Sequence, residues 1–496
     1  MSNTLVAQLL ERARRSPEHL AIVAGEQTVT YGELRQRILA AAAELTSLGV
    51  RPGDGVILAA SGTPAFAYGY FATHLLGAVA VPLDPQAPES RLAHVAGRVG
   101  PRAIFGARAY EHPTLGPVRA IDELADLESN GDEPEGPHLD DLADLLFTTG
   151  TSGAPKGVML THRNILAAAT NINAVLRNDA TDREVVPLPL SHSFGLGRLR
   201  CNVLAGGTII LVEGFKLPGE ILNAMERWKA TGFAVVPAGM AVLVRFGQEE
   251  LAGFADQLKY MEFGSAPMPL ATKQLLIRIL PHTRVWMHYG LTEASRCTFI
   301  EFHDSRDFLD SIGKPTPNVE VRVVDGQGSE VAPGEPGEII VKGGMVTAGY
   351  WKDPERTRQT LVDGWLHTGD LGHKDDQGYV YLHGRKGDMI NVGGFNVSPV
   401  EVEEVLAGHP AIEQGACIGI PDPSEVSGEV VKVFLVPNGQ ARPTRRELVD
   451  WLKPRLEPYK VPVAFEWVDS LPKTGSGKLQ RGVLREREGR RVGSKR

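Results

Sequence analysis

Apolar residues along the first hundred positions switch between helical and strand-like spacing. YGELRQRILAAAAELTSL (31–48) carries them at helical spacing and stops at Gly49, which predicts a helix. GVILAA (55–60) is then a short continuous apolar run, the pattern of a buried strand. A second helix is predicted over 65–76, and GAVAVPL (77–83) reads as the next strand, stopped by Asp84-Pro85. Strands alternating with helices predict a parallel sheet covered on both faces. ESNGDEPEGPH (128–138) is acidic and rich in Gly and Pro, and reads as an exposed connector. A second round of alternation runs from about 145 to 289. The run 319–341 then alternates with period two around Asp-Gly and Pro-Gly turns, which predicts a small antiparallel unit. The final hundred residues mix helices (399–406, 444–456) with strands (416–420, 430–436), an α+β pattern long enough for its own domain. No internal repeat or low-complexity tract interrupts this order.

A length of 496 residues suggests two to four folding units. With 42% hydrophobic and 23% charged residues, the composition is that of an ordinary soluble globular protein. The net charge of −8 and the lack of a basic block in the body of the chain argue against a nucleic-acid surface. The basic end, 490–496, reads as a frayed tail. Three scattered cysteines (Cys201, Cys297, Cys417) form neither a disulfide framework nor a zinc site and suit a reducing compartment. No signal-peptide core and no run of about 18 apolar residues occurs, so the expectation is a cytoplasmic chain with no membrane partner.

Two glycine-and-hydroxyl loops carry the candidate chemistry. In FTTGTSGAPKG (147–157), Thr148, Thr149, Gly150, Thr151, Ser152 and Gly153 lead to Lys156. Small residues, hydroxyls and one lysine suit a loop that wraps phosphate oxygens, although the same composition also describes a polar surface loop. PKTGSGKLQR (472–481) presents a lone Lys478 on what reads as a flexible arm, or else as part of a disordered tail. A nucleotide-hydrolase P-loop fails on spacing at both. Pro155 and Pro472 stand where glycines are required, and Gly157 and Leu479 replace the Ser or Thr after the lysine. No GxGxxG is present, so a dinucleotide-binding fold has little support.

Between these loops lie YGLTE (289–293), HTGD (367–370) and GRKGDMINVGGFNVSP (384–399). In this order the runs resemble the adenylate-forming superfamily of acyl-CoA synthetases, aryl-CoA ligases, luciferases and peptide-synthetase adenylation domains. The resemblance covers nearly the whole chain. It implies an α/β fold: a large N-terminal domain (1–386) of two α/β sheets and a small β-barrel, then a smaller mobile α+β C-terminal domain (387–496). It also implies ATP, Mg²⁺ and CoA as cofactors and co-substrates. Lys156 and the loop before it would hold the β- and γ-phosphates, Tyr289 would stack on adenine beside His288 and Gly290, Thr292 would meet the α-phosphate, and Glu293 would help hold Mg²⁺. In isolation, Thr-Glu more often caps a helix. Gly264, Ser265, Ala266 and Pro267 match the adenine-side strand end, which is also the pattern of a tight turn. Asp370 matches the ribose clamp, Arg385 a second ribose or phosphate contact, and Lys478 the residue that serves adenylation.

Other positions are implied on the acid and thiol sides. His192 matches a gate to the acyl pocket, although a His on an apolar loop is commonly a core residue. Ser193 stands where amino-acid-activating relatives carry Asp, which argues against an α-amino acid. Ser193, Phe194, Pro237, Gly239, Met240 and Gly264 complete a pocket for an aryl or medium-length acid, with Arg198 and Arg200 near enough in sequence to admit a polar one. Asn391, Gly393, Gly394 and Phe395 match the pantetheine contacts. The hinge falls at Gly387, where relatives usually carry Asp or Lys, and glycine is expected to loosen the pivot through positive φ. Plant coumarate-CoA ligases carry lysines at the positions of Gly387, Asn391 and Gly393, so CoA binding departs from that pattern here. The resulting expectation is an AMP-forming carboxylate–CoA ligase, as monomer or homodimer. The alternatives are an enzyme that loads a separate acyl-carrier protein, since only eighteen residues follow Lys478, and a non-catalytic nucleotide-binding protein.

Overall fold

In the computed structural model, residues 3–60, 62–125, 127, 133–149, 155–215, 217–392, 395–422, 429–474 and 477–493 are described. The first predicted helix forms as Tyr31–Ser47, opened by a capping box in which Thr30 and Glu33 satisfy each other's backbone N–H. It closes at Gly49, whose φ of 78° suits a residue without a Cβ. The following elements, Gly55–Ala59, Pro64–Leu75 and Val79–Pro82, fall within a residue or two of their predicted places.

Two large sheets carry the N-terminal part. One has eight strands, with Leu142–Thr149, Val79–Pro82, Gly55–Ala59, Ala103–Gly106 and Gly116–Ala120 running parallel. The other has nine, with Leu20–Ala24, Thr208–Leu211, Arg183–Val186, Gly232–Val235, Tyr260–Phe263 and Arg284–Tyr289 parallel and antiparallel strands at both edges. Helices Leu5–Arg15, Tyr31–Ser47, Pro64–Leu75 and Ser193–Ala205 lie in the layer between them. That is why every residue of Pro64–Leu75 is buried. Alternate residues of each strand feed this shared core and an outer one. Leu58 faces inward and Ile57 faces helix Glu89–Val99, while Ala234 faces inward and Phe233 and Val235 face helices Pro218–Arg227, Pro237–Ala252 and Leu270–Ile279.

The small antiparallel unit predicted over 319–341 is larger than that run. Val319–Val324 and Gly337–Gly343 pair as expected, and Leu361–Val362, Trp365–Lys374 and Val380–Arg385 extend them to a five-stranded sheet. The last hundred residues form a three-stranded sheet of Ile412–Pro421, Glu429–Pro437 and Ala464–Trp467. Helices Pro399–Ala407 and Arg445–Leu452 cover one face, and helix Arg481–Gly493 covers the other through Leu484. This C-terminal unit meets the five-stranded sheet where Ser398 Oγ donates to the carbonyl of His383. Among the described residues no helix is long and apolar enough to cross a membrane.

Candidate active site

The parallel strands of the nine-stranded sheet end on one edge, and the candidate residues leave from there. His192 follows Arg183–Val186, Pro237 follows Gly232–Val235, Gly264 to Pro267 follow Tyr260–Phe263, and Gly290 to Glu293 follow Arg284–Tyr289. Ligands of open α/β sheets collect at this carboxyl edge. Glu293 starts no helix; a short turn leads instead to the antiparallel strand Thr298–Glu301. Thr292 is half-buried in that turn.

Lys156 arrives from the other sheet. Leu142–Thr149 and Pro155–Thr161 are an antiparallel hairpin, with Thr148 opposite Lys156 and Thr149 opposite Pro155. The loop thus joins strand to strand, whereas a P-loop joins strand to helix. Gly150, Thr151, Ser152 and Gly153 lie outside the described residues. Lys156 Nζ donates to Glu293 Oε1 at 2.6 Å and to the Tyr350 hydroxyl at 3.2 Å, and that hydroxyl donates to the same carboxylate at 2.8 Å. Burial alone would raise the pKa of Glu293, but Lys156 and Tyr350 hold it below the usual value. Beside Lys156 the hydroxyl of Thr148 is sealed from solvent and has no hydrogen-bond partner among the described residues.

Asp370 stands next to this trio in its charge logic. It pairs in register with Arg385 on the five-stranded sheet, and Arg385 Nε donates to Asp370 Oδ1 at 2.9 Å. Tyr289 donates its hydroxyl to Asp370 Oδ2 at 2.6 Å, so the strand end of the large sheet and the small sheet share one carboxylate. Burial, and then the Asp370 charge, push the Tyr289 pKa far above 10, which keeps it protonated as the donor.

Lys478 completes the cleft from the C-terminal unit. Lys478 is tied back to the chain before it: Lys478 N donates to Thr474 Oγ1 at 3.1 Å, and Thr474 N donates to Lys478 O at 2.8 Å. The side chain stays open to the cleft, yet surrounding protein lowers its pKa, and Arg385 lowers it further. Glu293 and Asp370 act in the opposite sense, which places the ammonium within electrostatic reach of both carboxylates.

Residues 9–351 match the AMP-binding enzyme family, and residues 401–478 match the AMP-binding enzyme C-terminal domain. The chain belongs to the AMP-binding enzymes. Among its relatives is a feruloyl-CoA synthase of Amycolatopsis, 36% identical over 490 residues, which span 97% of this chain and 98% of that one. A 2-succinylbenzoate–CoA ligase of Bacillus velezensis is 33% identical over 484 residues, 96% of this chain and 97% of the relative. In three dimensions the chain superposes on ATP-bound MatB from Rhodopseudomonas palustris with a TM-score of 0.89 at 29% identity, covering 98% and 99% of the two chains. It superposes equally (0.89, 31% identity, 96% and 97% covered) on the o-succinylbenzoate CoA synthetase of Bacillus subtilis in complex with its acyl-adenylate intermediate. The two-domain architecture is that of these adenylating enzymes.

On the acid side of this AMP-binding enzyme, several expectations need correction. Arg198 is fully buried and Arg200 nearly so, each committed to partners inside the protein. Arg198 is bound to Glu184 and sits 3.2 Å from Glu262, and Arg200 is paired with Asp144 and with Tyr70. Met240 has no exposed surface because its helix turns it into the core beneath the nine-stranded sheet. Pro237 and Gly239 are buried as well, and the Phe215 ring fills the space that a side chain on Gly239 would need, at 2.4 Å. Phe215 carries no motif and sequence reasoning missed it; the signal was only an aromatic residue just past an apolar run. His192, by contrast, is half-exposed, with Nε2 3.7 Å from Asp84. That contact is the first cause of a lowered Asp84 pKa. Phe194 lies under the Arg296 guanidinium at 4.8 Å, and Arg296 is a second residue that sequence reasoning did not single out.

The described thiol-side residues, Asn391 and Phe395, belong to the C-terminal unit and not to the Lys156–Asp370 cluster. Asn391 and Phe395 lie on a hairpin, Ile390–Val392 with Phe395–Val397, that packs on the C-terminal unit, and Phe395 stacks on Tyr459 at 4.8 Å. Gly393 and Gly394 lie outside the described residues. Gly387 sits exposed in the turn between the five-stranded sheet and this hairpin, closed by Asp388 N donating to Arg385 O at 2.8 Å. Its φ is not positive in this conformation.

Proposed function

We propose that this AMP-binding enzyme is an ATP-dependent carboxylate–CoA ligase working in two half-reactions. The observation that carries the reading is the delivery of Lys478, from the C-terminal unit, into a cleft whose other walls hold Lys156, Glu293 and Asp370. In the first step a carboxylate oxygen attacks the α-phosphorus of ATP and the bond to pyrophosphate breaks. Lys478 stabilises the charge that grows between the carboxylate and the α-phosphate. Lys156 leaves Glu293 for the departing phosphates, Asp370 accepts from the ribose hydroxyls, Tyr289 flanks the adenine, and Thr292 and Arg385 meet phosphate and ribose oxygens. A single carboxylate held by Lys156, with the buried Thr148 hydroxyl that has no partner among the described residues opposite that lysine, fits a hard ion that is shared with substrate phosphates. Glu293 would hold Mg²⁺, which supplies neutralisation of the phosphate charge when bound. In the second step the CoA thiol gives up its proton, sulfur attacks the acyl carbonyl and AMP leaves. Asn391, Gly393, Gly394 and Phe395 would line the path of the pantetheine arm. The relatives named for feruloyl and 2-succinylbenzoate groups, which align over nearly the whole chain, support an aromatic acid. Mass spectrometry of the product formed with CoA, with an isolated carrier protein and with neither tests the acceptor. Thioester on CoA is expected, and product on the carrier alone would overturn the reading.

The same reading divides the chain into residues 1–386 and 387–496, with the second part rotating about Gly387 between steps. A Cβ on Gly387 meets nothing within 4 Å here, so Gly387→Ala is expected to adenylate normally. Gly387→Pro fixes φ near −65° and restricts residue 386 as well. Pyrophosphate exchange is expected to persist in that variant while CoA-thioester output falls at least tenfold and acyl-adenylate accumulates on the enzyme. Normal thioester turnover in Gly387→Pro removes the pivot from this position.

A further inference from the structure

His288 lies on the same face of the nine-stranded sheet as Glu262 of the neighbouring strand. Its ring is closed in by Phe194 and Phe299, edge-on at 4.8 and 5.7 Å. The Cε1–Nε2 edge stands 2.1 Å from where a Cβ on Gly264 would be, so the ring packs against the Gly264 backbone and only glycine leaves room for it there. On the other side of Cε1, Nδ1 lies 2.8 Å from Glu262 Oε1. Glu262 is in turn held by Arg296 Nε at 3.0 Å and faced by Arg198 Nη1 at 3.2 Å. Two guanidinium groups keep that carboxylate ionised, and an ionised carboxylate only accepts. The short contact is not aligned as a full hydrogen bond, but it still decides which ring nitrogen carries the proton. Burial, and then Arg296, lower the His288 pKa to about 4, so the ring is neutral at pH 7. One proton, held on Nδ1, leaves a lone pair on Nε2. Nδ1 is sealed from solvent, so the 8% of the side chain still exposed lies elsewhere on the ring, and Nε2 has no polar partner among the described residues.

We propose that His288 Nε2 is the hydrogen-bond acceptor that reads a hydroxyl group on the ring of an aryl acid, with Glu262 and Arg296 as the pair that positions it. The inference rests on the ligase reading above and deepens its substrate class. Phe194 and Gly264, which border the imidazole, are also residues expected on the acid side, so the ring nitrogen lies beside that part of the site. An ammonium group would approach Arg198 and Arg296, and a second carboxylate would meet a lone pair, so a neutral donor is the group that fits. The nucleotide-side role expected for His288 from its place beside Tyr289 gives way to this one.

The test compares two acids in one enzyme: a 4-hydroxyaryl carboxylic acid and the same acid with fluorine in place of the hydroxyl. Fluorine is small and cannot donate. Pyrophosphate exchange gives kcat/KM for each, and their ratio does not depend on how much protein is folded. A preference of about tenfold or more for the hydroxy acid is expected in the parent, because a buried acceptor left unpaired penalises the fluoro acid. In His288→Leu the ratio is expected to fall to about one. His288→Gln, which restores an acceptor, should recover part of it, and Glu262→Gln should lower it by releasing the ring proton to Nε2. A parent ratio near one, or a ratio unchanged in His288→Leu, overturns the inference while exchange itself continues. No exchange with either acid, or with a wider carboxylate panel, overturns the ligase reading and this inference with it.

Discussion

Lys478→Ala is expected to slow acyl-adenylate formation by about two to three orders of magnitude, the scale of losing one charged partner of a transition state. The loss should appear in pyrophosphate exchange and should largely spare thioester formation from pre-made acyl-adenylate, because only the first step draws on the ammonium. Equal losses in both halves would show that Lys478 is not confined to adenylation. The structure adds a pH signature. Burial and Arg385 lower the Lys478 pKa below the ordinary 10.5, so the protonated form is lost at a lower pH than for a free lysine. Adenylation should therefore decline on an alkaline limb below 10.5, and Lys478→Arg, whose charge persists, should move that limb upward even where its rate is lower. An alkaline limb unmoved by the arginine belongs to another group.

Arg198→Met should be the most destabilising of the changes considered, costing about 3–5 kcal/mol, because it strips a buried cation from two carboxylates. Arg198 is fully buried, with Nε 2.7 Å from Glu184 Oε1 and Nη2 donating to the Tyr260 hydroxyl at 3.1 Å. Arg296 would still neutralise Glu262, but Glu184 would keep only Asn202 as a donor. Burial already raises the Glu184 pKa above 4.5, and losing the guanidinium raises it further. A carboxyl whose folded pKa is raised takes up a proton on folding, so stability returns as pH falls through the raised folded value toward 4.5. The difference between Arg198→Met and the parent in urea midpoint should narrow from pH 8 to pH 5. A deficit that does not change with pH would point to lost packing instead of an orphaned charge.

How much of this was legible in the sequence depended on whether the cause was local. The helix at Tyr31–Ser47 and the strands around it follow from spacing, a capping Thr30 and a terminal Gly49, all within a few residues of each other. Lys156, Glu293, Asp370 and Lys478 were legible because their neighbours in sequence are unusual. The hairpin that carries Lys156 was not, since pairing Leu142–Thr149 with Pro155–Thr161 and placing both at the edge of a largely parallel sheet is a tertiary choice. Arg198 and Arg200 misled for the same reason: two charges a few positions past His192 look able to meet a polar acid until Glu184 and Asp144, from other strands, are brought to meet them. Tyr350, Phe215 and Arg296 carry no motif, and only the assembled fold puts them beside Lys156, Gly239 and Phe194.

The loops at the carboxyl edge of the nine-stranded sheet divide the labour of recognition between separate stretches of chain. The segments after Arg183–Val186, Thr208–Leu211 and Gly232–Val235 carry His192, Phe215 and Pro237, whereas Lys156 belongs to another sheet and Asp370 and Arg385 to a third. On the ligase reading proposed above, acid preference would be inheritable as a cassette. Exchange of these loops, together with the strand ends that carry Gly264 and His288, would transplant selectivity while Lys156, Asp370 and Arg385 stay in place, and a lineage could diversify its diet of acids without rebuilding its hold on ATP.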